Sequence, residues 1–130
     1  MRQNTKGFTL IELLIVVVIL GVLVAIVVPK FANGKERAMV AAMKSDLRNL
    51  MSAEEAFYTN ALTYYAGPIP DPAMPYSPSA DIAVSLGNVT ATGWAAQAIH
   101  ASSGRTCDIF VGSATSLGAA TLEGQVACTP

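Results

Sequence analysis

From Phe8 to Val28 the chain carries one ionisable side chain, Glu12, and every residue from Leu13 to Val28 is apolar or Gly. A charge at the centre of a bilayer costs about 2.5–3.5 kcal/mol. Glu12 lies about one helical turn from Phe8, near the edge of such a layer, where the cost is smaller. The chemistry that suits it is neutralisation by a cation lodged in the same layer. A cut between Gly7 and Phe8 would create one, a free amine at the head of the helix. That amine could meet a carboxylate on the same chain or on a neighbour. Helices packed side by side would bury both groups and make the pair selective for one register. An acid in the first turn also complements the helix dipole.

The other chemistry-bearing residues are few. Cys107 and Cys128 form an even count behind an export-type N-terminus, which points to an oxidising compartment and one disulfide. Two buried free thiols are the alternative. His100 is the single histidine and has no acidic cluster near it in sequence, so no metal site is expected. Asn88-Val89-Thr90 matches an N-glycosylation sequon, a short and common pattern. No nucleophile–base pair, Gly-rich phosphate loop or CxxC motif is present, so neither an enzyme nor a cofactor is expected. The formal net charge is -1, and Arg105 stands alone in the C-terminal half. That gives no basic field for a specific nucleic-acid partner.

The elements that must position these residues can be read from pattern. Phe8–Val28 as a helix spans about 31 Å, the thickness of a hydrocarbon core. It is too long for an ordinary secretory signal, and Leu23-Val24-Ala25 is a poor cleavage site. The flanking positive charges nearly balance, so the cysteines decide orientation, with the C-terminal part on the oxidising side. After Pro29 the helix continues with Met39, Met43, Leu47, Leu50, Phe57 and Ala61 on one face. Glu54 interrupts that stripe, and Lys44, Ser45, Asp46, Arg48 and Asn49 fall on other faces. The helix is expected to end near Thr63. Five prolines between Pro68 and Pro78 then forbid helix interior and central strand. Beyond them four runs read as strands: Ile82-Val84-Leu86 with its alternation, GWAAQAIHAS, TCDIFVG and ATLEGQVAC. The fold class is α+β, a long N-terminal helix packed on a four-stranded antiparallel sheet. Trp94 and Phe110 are packing residues. Pairing the last two strands with Cys107 opposite Cys128 sets Ile109 opposite Val126 and Val111 opposite Gly124 on one face. Asp108 and Phe110 then point the other way.

Lys6-Gly7-Phe8-Thr9-Leu10-Ile11-Glu12-Leu13 resembles the cleavage and methylation signature of type IV pilins and type II secretion pseudopilins. The likeness extends through Gly21 and Pro29 over about the first 60 residues, and is most like a major type IV pilin. The resemblance implies that residues 1–7 are a leader and that a prepilin peptidase cuts after Gly7. It implies that Phe8 becomes the N-methylated first residue and that Glu12 serves methylation and assembly. It further implies that Gly21 and Pro29 bracket a helix stretch that loses regular structure in filaments. The expected divisions are then 8–29, the membrane and filament-core half of the helix; 30–63, its amphipathic half; 64–80, the connector; and 81–130, the sheet with the disulfide. The implied partners are copies of itself in a helical filament, the inner membrane beforehand, the peptidase and the assembly machinery. The implied location is the inner membrane as a precursor, single pass with the C-terminal part in the periplasm, then the extracellular pilus. A pseudopilin of a type II secretion system is the close alternative. Major pseudopilins of that family bind calcium through acidic loop residues, whereas the C-terminal region here offers only Asp108 and Glu123 and has a cysteine pair instead.

Overall fold

The structure, a computed structural model, describes residues 7–130. The expectations for the leader through Lys6, with its Arg2 and Lys6, lie outside the described residues. The chain divides into two compact units, Met1–Lys35 and Glu36–Pro130.

In the first unit the described chain is almost wholly helix, the opening part of α1 (Leu10–Ala61). Leu, Ile and Val occur on every side of it from Leu10 to Val28 and all are exposed. A helix apolar all round suits a membrane or a larger core. Its most apolar 18-residue window has a mean hydropathy of 3.4. Pro29 sits inside the helix. It brings no N–H to the carbonyl four residues back, so the ladder has a gap there. Residues 21–29 are nonetheless helical.

In the second unit, α1 from Glu36 to Ala61 packs on an antiparallel sheet of order β1-β2-β3-β4. The strands are β1 (Ile82–Thr90), β2 (Gly93–His100), β3 (Thr106–Gly112) and β4 (Ala127–Cys128). Met43, Leu47, Leu50 and Ala53 supply the helix side of the core. Ile82, Val84, Trp94, Ala96, Ala98, Cys107 and Ile109 supply the sheet side. Two-residue alternation puts all of these on one face. Ala95, Ala96 and Ala98 of β2 are fully buried, and Trp94 is the largest fully buried side chain.

The helix end lies close to the expected one, and three other details differ from the sequence reading. The helix ends at Ala61, which is exposed, and Leu62 takes a left-handed φ of 56° with its N–H donating to Tyr58 O at 2.8 Å. This is a helix-ending cap usually left to Gly. Asp46 is buried, at 3 % exposure, rather than on an outer face. β4 is two residues long. Cys107 faces Cys128 and Asp108 faces Ala127, but the ladder stops there. Gly124 N donates to Phe110 O, where the continued register would use Gln125, so the pairing has slipped by one residue. The turn from Leu122 to Gln125, with Gly124 at φ 69°, causes the slip. The expected Ile109–Val126 and Val111–Gly124 pairs do not form in the ladder, although Val126 still packs against the core. Lastly, the outer face of the sheet is covered by the segment between β3 and β4. Ala114 and Ala120 are buried in it, over a fully buried Ala95 and Asp108.

Candidate functional site

The sequence puts its reactive candidates at the N-terminus, and the structure gives them a definite local geometry. Thr9 precedes the first turn of α1, and Glu12 lies in that turn. Glu12 Oε2 accepts the Thr9 N–H at 2.8 Å and the Thr9 hydroxyl at 2.7 Å. Thr9 Oγ1 in turn accepts the Glu12 N–H at 3.3 Å. This is a capping box, in which two otherwise unpaired helix-end donors are satisfied reciprocally. The sequence reading assigned Glu12 a charge partner and overlooked Thr9, although Thr-x-x-Glu before an apolar run is the signature of this motif.

Phe8 is exposed, and its nitrogen is still a peptide nitrogen attached to Gly7. No hydrogen bond joins Phe8 to Glu12 among the described residues. While that peptide bond is intact, Phe8 offers no ammonium group to pair with Glu12. A side chain added at Gly7 or at Gly21 would meet nothing within 4 Å. The fold of this chain therefore does not require either glycine. Any demand for them comes from a partner surface or from the looser helix that Gly permits, about 1 kcal/mol weaker than with Ala. Gly7 and the capping box thus lie at the head of α1, with Gly21 and Pro29 farther along it, and they are not gathered into a pocket.

The family description "Prokaryotic N-terminal methylation motif" matches residues 2–28. The N-terminal part of the chain is similar to that of pilins and pseudopilins. It is 38% identical over 63 residues to the type II secretion system core protein G of Pseudomonas aeruginosa, covering 48% of this chain and 44% of that protein. It is 41% identical over 63 residues to the type IV major pilin protein PilA of Myxococcus xanthus, covering 48% of this chain and 29% of the relative. The type IV major fimbrial protein FimA of Dichelobacter nodosus is 44% identical over 55 residues, covering 42% and 35%. The chain thus matches less than half the length of each of these curated relatives. The pilin and pseudopilin matches fall on similar shares of this chain, so they do not favour one kind of relative over the other.

The head tests the remaining candidates. Cys107 and Cys128 form a disulfide. The Thr129 N–H donates to Thr106 O at 2.9 Å, which makes Cys107–Cys128 a non-hydrogen-bonded pair, the position where facing Cα atoms come closest. His100 ends β2, and its Nδ1 accepts the Ser102 N–H at 3.1 Å. Asn88 of the sequon has a φ of 49° and donates its side-chain amide to Thr115 O and Oγ1. That amide is already engaged in holding the outer segment. Asp108 accepts from Ser116 Oγ, Ala119 N and Ala120 N at 2.6–3.0 Å. Glu123 accepts the Gly112 N–H at 2.7 Å. Asp108 is thus buried with donors on both of its oxygens, while Glu123 is exposed. Among the described residues no three His, Cys, Asp or Glu side chains converge as metal ligands.

Two acids of α1 emerge as structural residues that the sequence reading did not assign. Asp46 Oδ2 accepts the Ser79 N–H and its Oδ1 accepts the Ser79 hydroxyl, both at 2.9 Å. Glu54 Oε2 accepts the Tyr65 N–H at 3.0 Å. Together they hold the two ends of the proline-rich connector. A connector that cannot join a sheet still has backbone donors to satisfy, and these carboxylates accept two of them.

Proposed function

We propose that the chain is a structural subunit of a type IV pilus filament. It waits in the inner membrane on the Phe8–Val28 helix, with residues 36–130 in the periplasm. A prepilin peptidase cuts after Gly7, Phe8 is N-methylated, and the subunit enters a helical filament whose core is bundled N-terminal helices. Glu12 selects register by meeting the Phe8 amine of a neighbour, and Gly21 and Pro29 let the helix loosen between them. The subunit carries out no catalysis. The observation that carries this reading is an all-round apolar helix headed by one acid, directly after Gly-Phe. The disulfide supports an oxidising destination for the head.

The capping box gives this reading a sharp test. Gln also serves at the third helical position of a capping box. Glu12→Gln therefore keeps the Thr9 hydrogen bonds and removes only the charge. The expected outcome is an intact, membrane-held subunit that no longer polymerises, seen by fractionation and by electron microscopy of cells. Normal fibres from Glu12→Gln, or fibres whose subunits keep residues 1–7 by mass spectrometry, would contradict it. The second reading, a pseudopilin of a type II secretion system, is favoured by the similarity to core protein G. Deleting the chain separates the two. Loss of surface fibres supports the pilin, and loss of protein secretion with fibres intact supports the pseudopilin.

A further inference from the structure

Three buried acids occur in the described head, and they differ in how well they are satisfied. Asp46 has a donor on each oxygen. Asp108 has three donors. Glu54 is fully buried, yet it receives one N–H on Oε2, and Oε1 has no hydrogen-bond partner. A buried ionised carboxylate with a single donor is poorly compensated.

Among the described residues, the surroundings of Glu54 supply no cation. On α1 its charged neighbour is Glu55. Arg48, the nearest basic residue on the helix, is exposed and lies about 9 Å back along the axis and about 120° around it. The connector brings Tyr64 and Tyr65, with Asp71 beyond them. The strands carry two ionisable side chains besides the disulfide, and both are engaged elsewhere, His100 with Ser102 and Asp108 with the outer segment. Arg105 pairs with Glu36 at 2.6 Å, about 27 Å along the helix from Glu54.

Glu54 also sits where the chain turns back. Tyr64 stacks on Tyr58 with ring centroids 4.7 Å apart, and its hydroxyl donates to Glu55. Tyr65 meets Phe57 edge-on at 5.4 Å. These contacts fold the start of the connector against the end of α1, around the left-handed Leu62, which is 77 % exposed. Among the described residues, the Glu54–Tyr65 bond is partly buried, whereas the Tyr64–Glu55 bond beside it is exposed.

We propose that Glu54 is a pH-sensitive latch, holding the start of the connector on the helix while protonated and loosening it when ionised.

The direction is set by burial. Burial pushes the Glu54 carboxyl up to about 7, against the opposing pull of the Tyr65 N–H, from an ordinary value of 4.5. Between those values the folded chain binds a proton that the unfolded chain has released. The latch's stabilisation is complete below 4.5, declines as pH rises and is lost above about 7. Asp46, doubly bonded at the other end of the connector, holds Ser79 throughout, so the loosening is confined to residues near 62–66.

The test is hydrogen exchange of the full chain in detergent micelles, read by mass spectrometry and corrected for intrinsic rates. Between about pH 5.5 and about pH 8.5 the wild type is expected to lose at least about tenfold protection at Tyr64–Ala66, one pKa unit's worth. Sheet peptides keep theirs. Glu54→Gln retains an acceptor for Tyr65 and cannot ionise, so its protection there is expected to be the same at both pH values. Equal wild-type protection at both, or a parallel loss in Glu54→Gln, overturns the proposal. Should that variant fail to fold, carbon-13 NMR of labelled glutamates in the wild type decides. One carboxyl titrating near neutrality together with Tyr65 exchange supports the latch. All glutamates titrating near their ordinary value overturns it.

Discussion

Residues 7–35 and 36–130 use apolar side chains in opposite ways. In the first unit Leu, Ile and Val are presented on every side of one helix and none is buried. In the second, Met43, Leu47, Leu50, Trp94 and Ile109 are buried within the unit, and its buried polar groups are mostly hydrogen-bonded. One leaves an apolar surface uncovered all round its helix. The other is completed by its own loops. Burying a single Leu or Ile is worth about 1.5–3 kcal/mol, so the first unit carries a large unused drive to associate. Its lone acid, Glu12, caps its own helix through Thr9, whereas Asp46, Glu54 and Asp108 in the second unit hold loops down.

The contrast can be broken most decisively by separating the parts. A chain of residues 36–130 is expected to keep its sheet and disulfide and remain monomeric in water, by circular dichroism and size exclusion. Failure to fold would show that the head depends on the first unit. Next in size are the fastenings inside the head. Cys128→Ser releases a two-residue strand and opens a loop with a sequence separation of 21, at a cost of about 3 kcal/mol by thermal melting. Asp108→Ala leaves the donors of Ser116, Ala119 and Ala120 unpaired, and about 2–3 kcal/mol is expected. The same melting curves should not move when a calcium chelator is added, because donors already fill Asp108. Thr9→Ala removes half of the capping box and should cost the helix about 1 kcal/mol, seen as faster exchange over its first turn. Glu36→Ala breaks a half-exposed ion pair with Arg105 and is expected to cost under about 1 kcal/mol.

The helix and the facing of β1–β3 were readable in the sequence because both rest on periodicity. Ile82 and Val84 alternate with Ala83 and Ser85, and Cys107 and Ile109 alternate with Asp108. The Cys107–Cys128 register was readable too, since a disulfide pins one pair. The pairing beyond it was not, because it depends on a turn at Gly124 that no pattern of apolar residues records. Asp46 and Glu54 escaped for a different reason. Polarity in a sequence reads as a sign of solvent, but the partners of these acids are backbone groups at Ser79 and Tyr65, and main-chain donors have no letter in a sequence. Asp108 was correctly turned away from the helix. The layer that buries it comes from Ser, Gly, Ala and Thr residues with no periodicity to betray them. At the N-terminus, Gly7-Phe8 and Glu12 stood out as types. The bond between Thr9 and Glu12 was legible from their spacing and was missed because charge was the more conspicuous property.

The two pins at Tyr65 and Ser79 have one more consequence. Between them the chain reaches inward through Met74 and Tyr76, while Ala66, Pro68, Pro70, Pro72 and Ala73 are exposed. That stretch can exchange, gain or lose surface residues without disturbing what lies beneath, which makes it the natural place for related strains to differ and for an epitope to be grafted.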